Sequence, residues 1–294
     1  MGVNVTAHTT IQYGTNVQLL LQQKGSKLRD TVSIGSYTGK SAVPVEQIGS
    51  IEAKVRAGRG SPVVFTDSPE TRRWVEPVDF DTDAEIIDSA DKLRMLIDPT
   101  SSYATNAVYA LGRKMDDVII AAATATAKIG ENAGGTEAFN TGTCQVGGSV
   151  GGTNSGLNVA KLRAAKRILQ ENFVDLDQEQ PTLVITARQH DDLLNEIQIV
   201  SSDFNPQPVL VDGSVTRFMG FNIKVCQRLA FSTTRRVLAY VKSGIHLGMW
   251  NDIRTEVNQR PDLVGNPMQV YAQGTFGATR IEQGKVIEIL CYES

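Results

Sequence analysis

The chain has 294 residues, with 29 lysines and arginines against 32 aspartates and glutamates, for a net charge of -3. Hydrophobic residues make up 41% of it and charged residues 21%, which excludes wholesale disorder. The lack of a basic excess argues against a protein whose task is to coat nucleic acid, and the length exceeds one ordinary core, so two lobes are expected.

Aromatic residues are only 6% while glycine reaches 26 residues, a bias toward turns and extended segments. Cys144, Cys226 and Cys291 are far apart and form no CxxC pair, so free thiols in a reducing compartment are expected. No apolar run approaches the ~20 residues of a membrane span. Residues 1–10 have no basic stretch leading into an apolar one, so no secretory signal is expected.

Residues 1–45 read as an arm, rich in Thr, Gly, Ser and Asn, with one short helix over Tyr13 to Gln23. In residues 46–80, Ile51, Ala53 and Val55 alternate with Glu52, Lys54 and Arg56, a turn follows at Ala57 to Pro62, and Val63 to Phe65, Trp74, Val75 and Val78 come after. This predicts a long two-stranded excursion. Such a hairpin is marginal alone and needs a surface to lie on. Its mixed charges suit either a solvated hairpin or one that docks on another subunit through ion pairs.

Apolar residues at Ala104, Val108, Leu111, Met115, Val118, Ala122, Ala125 and Ile129 predict a helix over 101–129, with Arg113 and Asp117 as an outward pair. Residues 130–156 read as a surface loop. From 157 to 250 the pattern is that of a compact α/β lobe: a helix over 158–173, a strand over 181–186, a helix around 189–197, and strands at 221–225, 236–241 and 246–250. After Met268 the chain returns to β, with Arg280 to Ile289 as a hairpin turning near Gly284.

Motifs of chemistry are weak throughout. Gly35 to Ser41 imitates a phosphate loop but is one residue short between its glycines, and a β pattern follows instead of a helix. Asp79, Asp81 and Asp83 begin like a calcium loop, but Ala84 and Ala90 stand where Gly and Glu are needed. Gly147 to Gly156 lacks the strand-to-helix setting of a dinucleotide site. His8, His190 and His246 are scattered, and no GxSxG elbow supports a Ser–His–Asp triad. No catalytic, cofactor or metal residue is assigned.

The order of parts, from arm to hairpin to long helix to α/β lobe to returning β, resembles the major capsid proteins of tailed double-stranded DNA bacteriophages, the Hong Kong 97-type fold. Ala110 to Ile120 resembles that family's spine helix. Thr182 to Leu194 resembles its strand-then-helix, Phe218 to Val225 its following strand, and Gly274 to Arg280 its C-terminal return. The resemblance implies an α+β fold with an N-terminal arm at 1–45 and an extended E-loop at 46–80. It further implies a peripheral domain at 81–156 and 251–294 with the spine helix at 101–129, and an axial domain at 157–250. It implies a non-enzymatic shell protein that assembles with itself into hexamers and pentamers of an icosahedral capsid around double-stranded DNA, bound without sequence specificity and without a membrane. A separate scaffolding protein, a portal and possibly a decoration protein are the implied partners. The implied place is the virion, after assembly in the bacterial host cytoplasm. Glu52, Lys54, Arg56, Arg59, Glu70, Arg72, Arg73 and Trp74 become candidate inter-subunit contacts, with no covalent crosslink expected at Lys40 or Lys54. The alternatives are an encapsulin-type compartment, which shares the fold but encloses protein cargo, and a soluble α/β enzyme using the 157–250 lobe.

Overall fold

The structure, a computed structural model, describes residues 21–55, 58–59, 68, 70–88, 100–152, 154–196 and 215–293. The expected helix over Tyr13 to Gln23 and the strand at Val63 to Phe65 fall wholly or mostly outside them. The chain divides into two compact units, one of residues 1–25, 79–113 and 253–274, the other of 26–78, 114–252 and 275–294.

The larger unit is built on a six-stranded sheet. Its strands, in spatial order, are β10 (Arg217–Phe218), β11 (Phe221–Val225), β9 (Thr182–Ile185), β12 (Arg235–Tyr240), β15 (Val286–Cys291) and β8 (Gln145–Val146). β9 runs parallel to β11 and antiparallel to β12, and β15 runs parallel to β8. All four residues of β9 are buried, as befits a central strand covered on both faces. Helix α2 (Val159–Glu171) lies against β15 and β8 with Leu162, Ala165 and Leu169 fully buried. It starts where Asn158 accepts the Lys161 N–H at 2.9 Å, an N-cap that satisfies a free backbone donor. Helix α3 (Ala187–Leu194) follows β9 directly, and there Gln189 Oε1 accepts the Thr186 N–H at 3.2 Å.

A second sheet in this unit has the order β2 (Ala42–Ile48), β3 (Glu70–Val75), β6 (Ala127–Ile129), β7 (Gly135–Glu137), all antiparallel neighbours. Helix α1 (Thr100–Thr124) runs into it. The expected helix reached residue 129, but it ends at Thr124 and Ala127–Ile129 is strand instead. The β-branched Thr124 and Thr126 weaken the helix there, and β6 gains hydrogen-bonding partners on both sides. The inward stripe is Leu111, Met115, Ile119, Ala122 and Ala123; Val118 is only half-buried and Ala125 is exposed. The expected Arg113–Asp117 pair is replaced: Asp117 is held by Arg228 and Arg113 donates to Gln22. Within 130–156, expected as loop, β7 and β8 are short strands.

Three further expectations are corrected. The hairpin over Arg280 to Ile289 does not form. β14 (Met268–Arg280) and β15 lie in different sheets, joined by a single 3-10 turn at Gln283–Lys285. The run Val-Ile-Glu-Ile-Leu-Cys is almost wholly buried, so it suits an interior place between β12 and β8 better than an edge. The segment 1–45 is not all arm: Leu28 and Val32 are fully buried, and β1 (Ser33–Ser36) pairs parallel with β13 (Ile245–Gln259) from Ser33 opposite His246. The strand expected at 246–250 is longer: β13 continues to Gln259, and the chain passes from one unit to the other within it, after Asp252.

In the smaller unit, the start of β14 pairs antiparallel with β5 (Glu85–Ile87), and Thr82, just after β4 (Val78–Asp81), exchanges hydrogen bonds with Ala272 at 2.8 to 3.2 Å. Ile87, Val270 and Ala272 are its buried apolar residues there. Within the larger unit, Gly277 is required where β14 passes the backbone of Glu76, because a Cβ would lie 2.0 Å from the Glu76 carbonyl oxygen.

Candidate inter-subunit surface

The hairpin of β2 and β3 carries half of the candidate contact residues, and register decides what each can reach. Glu46 stands opposite Arg72, and the two form an exposed ion pair at 2.8 Å, a contact worth little by itself. Arg73 points the other way. It is 7% exposed, donates to Gln47 Oε1 at 3.3 Å, and forms an ion pair with Glu137 of β7. Trp74 donates its indole N–H to the Gly130 carbonyl at 2.6 Å. Arg73 and Trp74 therefore fasten β3 to the β6–β7 pair of their own chain, at Glu137 and at the Gly130 turn. Glu70 closes the paired part opposite Ile48.

Beyond Ile48 the expected strand is absent. Residues 49–55 carry no strand assignment, and Ile48 and Ile51 are each 71% exposed and Val55 98%. Glu52, Lys54 and Arg59 are exposed as well, while Arg56 lies outside the described residues. The alternation of 51–55 is real, but within one chain it meets neither a pairing strand nor a core among the described residues, and a lone strand is not stable in water. The structure thus gathers Glu70, Arg72, Arg73 and Trp74 onto β3. It leaves Glu52, Lys54 and Arg59 exposed beyond the paired strands, with the exposed Ile51 and Val55.

The motifs with a chemical look resolve into structure. Ser33–Ser36 is strand, Gly39 turns with φ +97°, and β2 follows, so no helix N-terminus meets this loop. Among the described residues no group of three or more His, Cys, Asp and Glu is placed to hold a metal. His190 accepts the Val215 N–H through Nε2 at 3.1 Å. His246 is buried, with Ser33 Oγ at 2.9 Å from Nδ1 and Tyr37 OH at 2.8 Å from Nε2, and burial lowers its pKa. His8 lies outside the described residues. All three cysteines are buried and unbridged, and burial pushes the Cys291 thiol up to about 12, far from a reactive thiolate.

Three of the buried charged residues, none of them found from the sequence, tie distant segments together. Asp116 accepts from Ser26 Oγ and from the N–H groups of Lys27 and Leu28 at 3.1 Å. Lys161 Nζ donates to the carbonyls of Ser155, Gly156 and Leu290 at 2.6, 2.9 and 2.9 Å. Arg280 donates to the carbonyls of Ala123, Ala125 and Glu137 at 3.0, 2.8 and 3.2 Å and stands over the Phe139 ring. Asp116 and Lys161 sit next to core positions of their helices, beside Met115 and Leu162, and that adjacency was the available signal.

The β2–β3 pair, a 25-residue helix, two long strands and a buried six-stranded sheet are the parts of a Hong Kong 97-type fold. The phage capsid protein family matches over residues 5–293, and the chain belongs to that family. It is a structural protein of the major-capsid kind, part of the phage shell. The solved capsid of the cyanophage P-SCSP1u has 14% identity and TM-score 0.76, over 100% of this chain and 96% of that one. The cyanophage Pam1 capsid has 13% identity and TM-score 0.75, over 98% and 97%. The capsid of a native GTA particle has 11% identity and TM-score 0.71, over 100% of both chains. Among curated proteins none matches the chain.

Proposed function

We propose that copies of this chain assemble into hexamers and pentamers of an icosahedral shell that encloses double-stranded DNA, and that the chain carries no catalytic activity of its own. The supporting observation is the exposed segment after β2: Ile48, Ile51 and Val55 are exposed, as are Glu52, Lys54 and Arg59, and among the described residues this stretch meets no core of its own chain. Apolar side chains held in water find their stabilisation against another copy. Residues 46–80 act as the extended loop that reaches a neighbour, and residues before Ser26 as an arm along neighbours. The peripheral part is 81–156 with 251–285, and the axial part is 157–250 joined by the strand 286–291. Each contact can be weak, because closure of a shell multiplies many of them. Charges of both signs on the loop set its register on the neighbour. Assembly takes place in the bacterial host cytoplasm with a separate scaffolding protein, a portal protein at one vertex, and in some shells a decoration protein. The net charge of -3 suits a container that must not hold its DNA tightly.

Electron microscopy and light scattering of the purified chain, with and without the phage's scaffolding protein, test this. Closed shells tens of nanometres across, with DNA in those purified from infected cells, are expected. A small discrete oligomer under every condition refutes the proposal, and shells filled with protein cargo refute its DNA part.

A further inference from the structure

A narrow groove of about 170 Å³ lies in the smaller unit, between the first half of α1 and the start of β14. Tyr103, Ala107, Ala110 and Val270 give it an apolar lining, and Asp83 and Glu85 supply two exposed carboxylates. Among the described residues neither carboxylate forms an ion pair. Arg113 also borders the groove, but its guanidinium donates to Gln22 Oε1 at 2.7 Å and to the Gln23 carbonyl at 3.2 Å. The volume is below the roughly 300–1,000 Å³ of small-molecule sites. A partly apolar lining beside two carboxylates matches one long basic side chain, whose stem is apolar and whose head is charged.

This chain carries such side chains on the exposed segment after β2. Lys54 and Arg59 are exposed there, close to the exposed Ile51 and Val55. Resting on the shell-forming function above, we propose that the Asp83–Glu85 groove of one copy receives Lys54 or Arg59 from the loop of a second copy. Donor and acceptor are different patches of one surface, so the contact is heterologous and propagates from copy to copy until a ring closes. The charges choose the register, and the apolar neighbours on the loop supply the buried area.

A charge swap in the full chain tests the pairing. Asp83→Lys with Glu85→Lys, and separately Lys54→Glu with Arg59→Glu, are each expected to cut shell yield at least about tenfold, because like charges then face each other. All four changes in one chain are expected to restore it. A second measurement does not depend on the reversed chains folding. Chains carrying Glu85→Cys with Lys54→Cys, and separately Glu85→Cys with Arg59→Cys, each assembled from an equal mixture of isotopically heavy and light protein, are expected to give, in at least one of the two pairs, mixed heavy–light disulfide peptides joining the two new cysteines after oxidation. Shells that form with no such peptide, or reversed chains that assemble as the parent does, overturn the docking site and leave the shell-forming function standing. If the parent chain forms no shells, the shell-forming function itself fails.

Discussion

The ammonium of Lys161 lies 2.9 Å from the carbonyl oxygen of Leu290, so a side chain of α2 is bonded to the backbone of β15 across 129 positions of sequence. The same ammonium binds Ser155 and Gly156, which closes the turn before the helix. Burial lowers the lysine's pKa, and the negative charges of Cys291 when ionised and of Asp192 act against that. Three carbonyl acceptors still favour the charged form. Lys161→Met keeps the apolar stem and removes the donors. It is expected to cost about 2–4 kcal/mol, from buried acceptors left without partners, read as a lower midpoint in urea unfolding of the unassembled protein.

Asp116 does the corresponding work for the segment 26–28. Asp116→Ala leaves the Lys27 and Leu28 N–H groups without their acceptor. A loss of about 1–3 kcal/mol is expected. Amide exchange at Lys27 and Leu28 should accelerate more than exchange in β9, and equal acceleration in both places would show a global effect instead.

His246 makes stability depend on pH. Burial lowers its pKa from the ordinary 6.5, so the unfolded chain binds the proton more readily than the folded one. Its contribution is fully present above pH 6.5 and is lost as pH falls through the lowered folded value. The unassembled protein is therefore expected to melt at lower temperature as pH falls below 6.5, and His246→Gln should flatten that part of the profile. A parent and variant with parallel profiles would remove His246 as the cause.

The three thiols are buried. Native protein is expected to leave a thiol-specific reagent almost unreacted over minutes, and unfolded protein to react with all three equivalents. Fast reaction of the native form would show that a cysteine is open to solvent.

Ile51→Asp with Val55→Asp is expected to leave the melting temperature of the unassembled chain within about 1 °C, since exposed sites have little effect on folding, and to abolish shell formation. Normal assembly of this variant would remove the apolar part of the loop contact.

The helix–strand order of the larger unit was legible because its signals are local. Asn158 caps α2, the apolar run at Thr182–Ile185 is short, and Leu162, Ala165 and Leu169 keep helical spacing. The destination of Val286–Cys291 was not legible, because a buried apolar strand reads the same whether it pairs with the strand before it or with one 50 residues away. The end of α1 was missed for a related reason. Ala125 and Ile129 continue the helical spacing, and only the pairing of Ala127–Ile129 with β3 and β7 makes that end strand. Of the candidate contacts, composition pointed only to a stretch of the chain. It could not separate Arg73 and Trp74, which are bound within the chain, from Lys54 and Arg59, which are exposed.

The strand β15 fills the place between β12 and β8, and it follows both of them in the chain. A chain cut short before Val286 would have every other strand of that sheet and a gap in the middle of it. Lys161 would lose its Leu290 acceptor, and β12 and β8 would expose the edges that β15 covers. Such fragments would leave that sheet incomplete, so the fold of this unit closes only once β15 has been made.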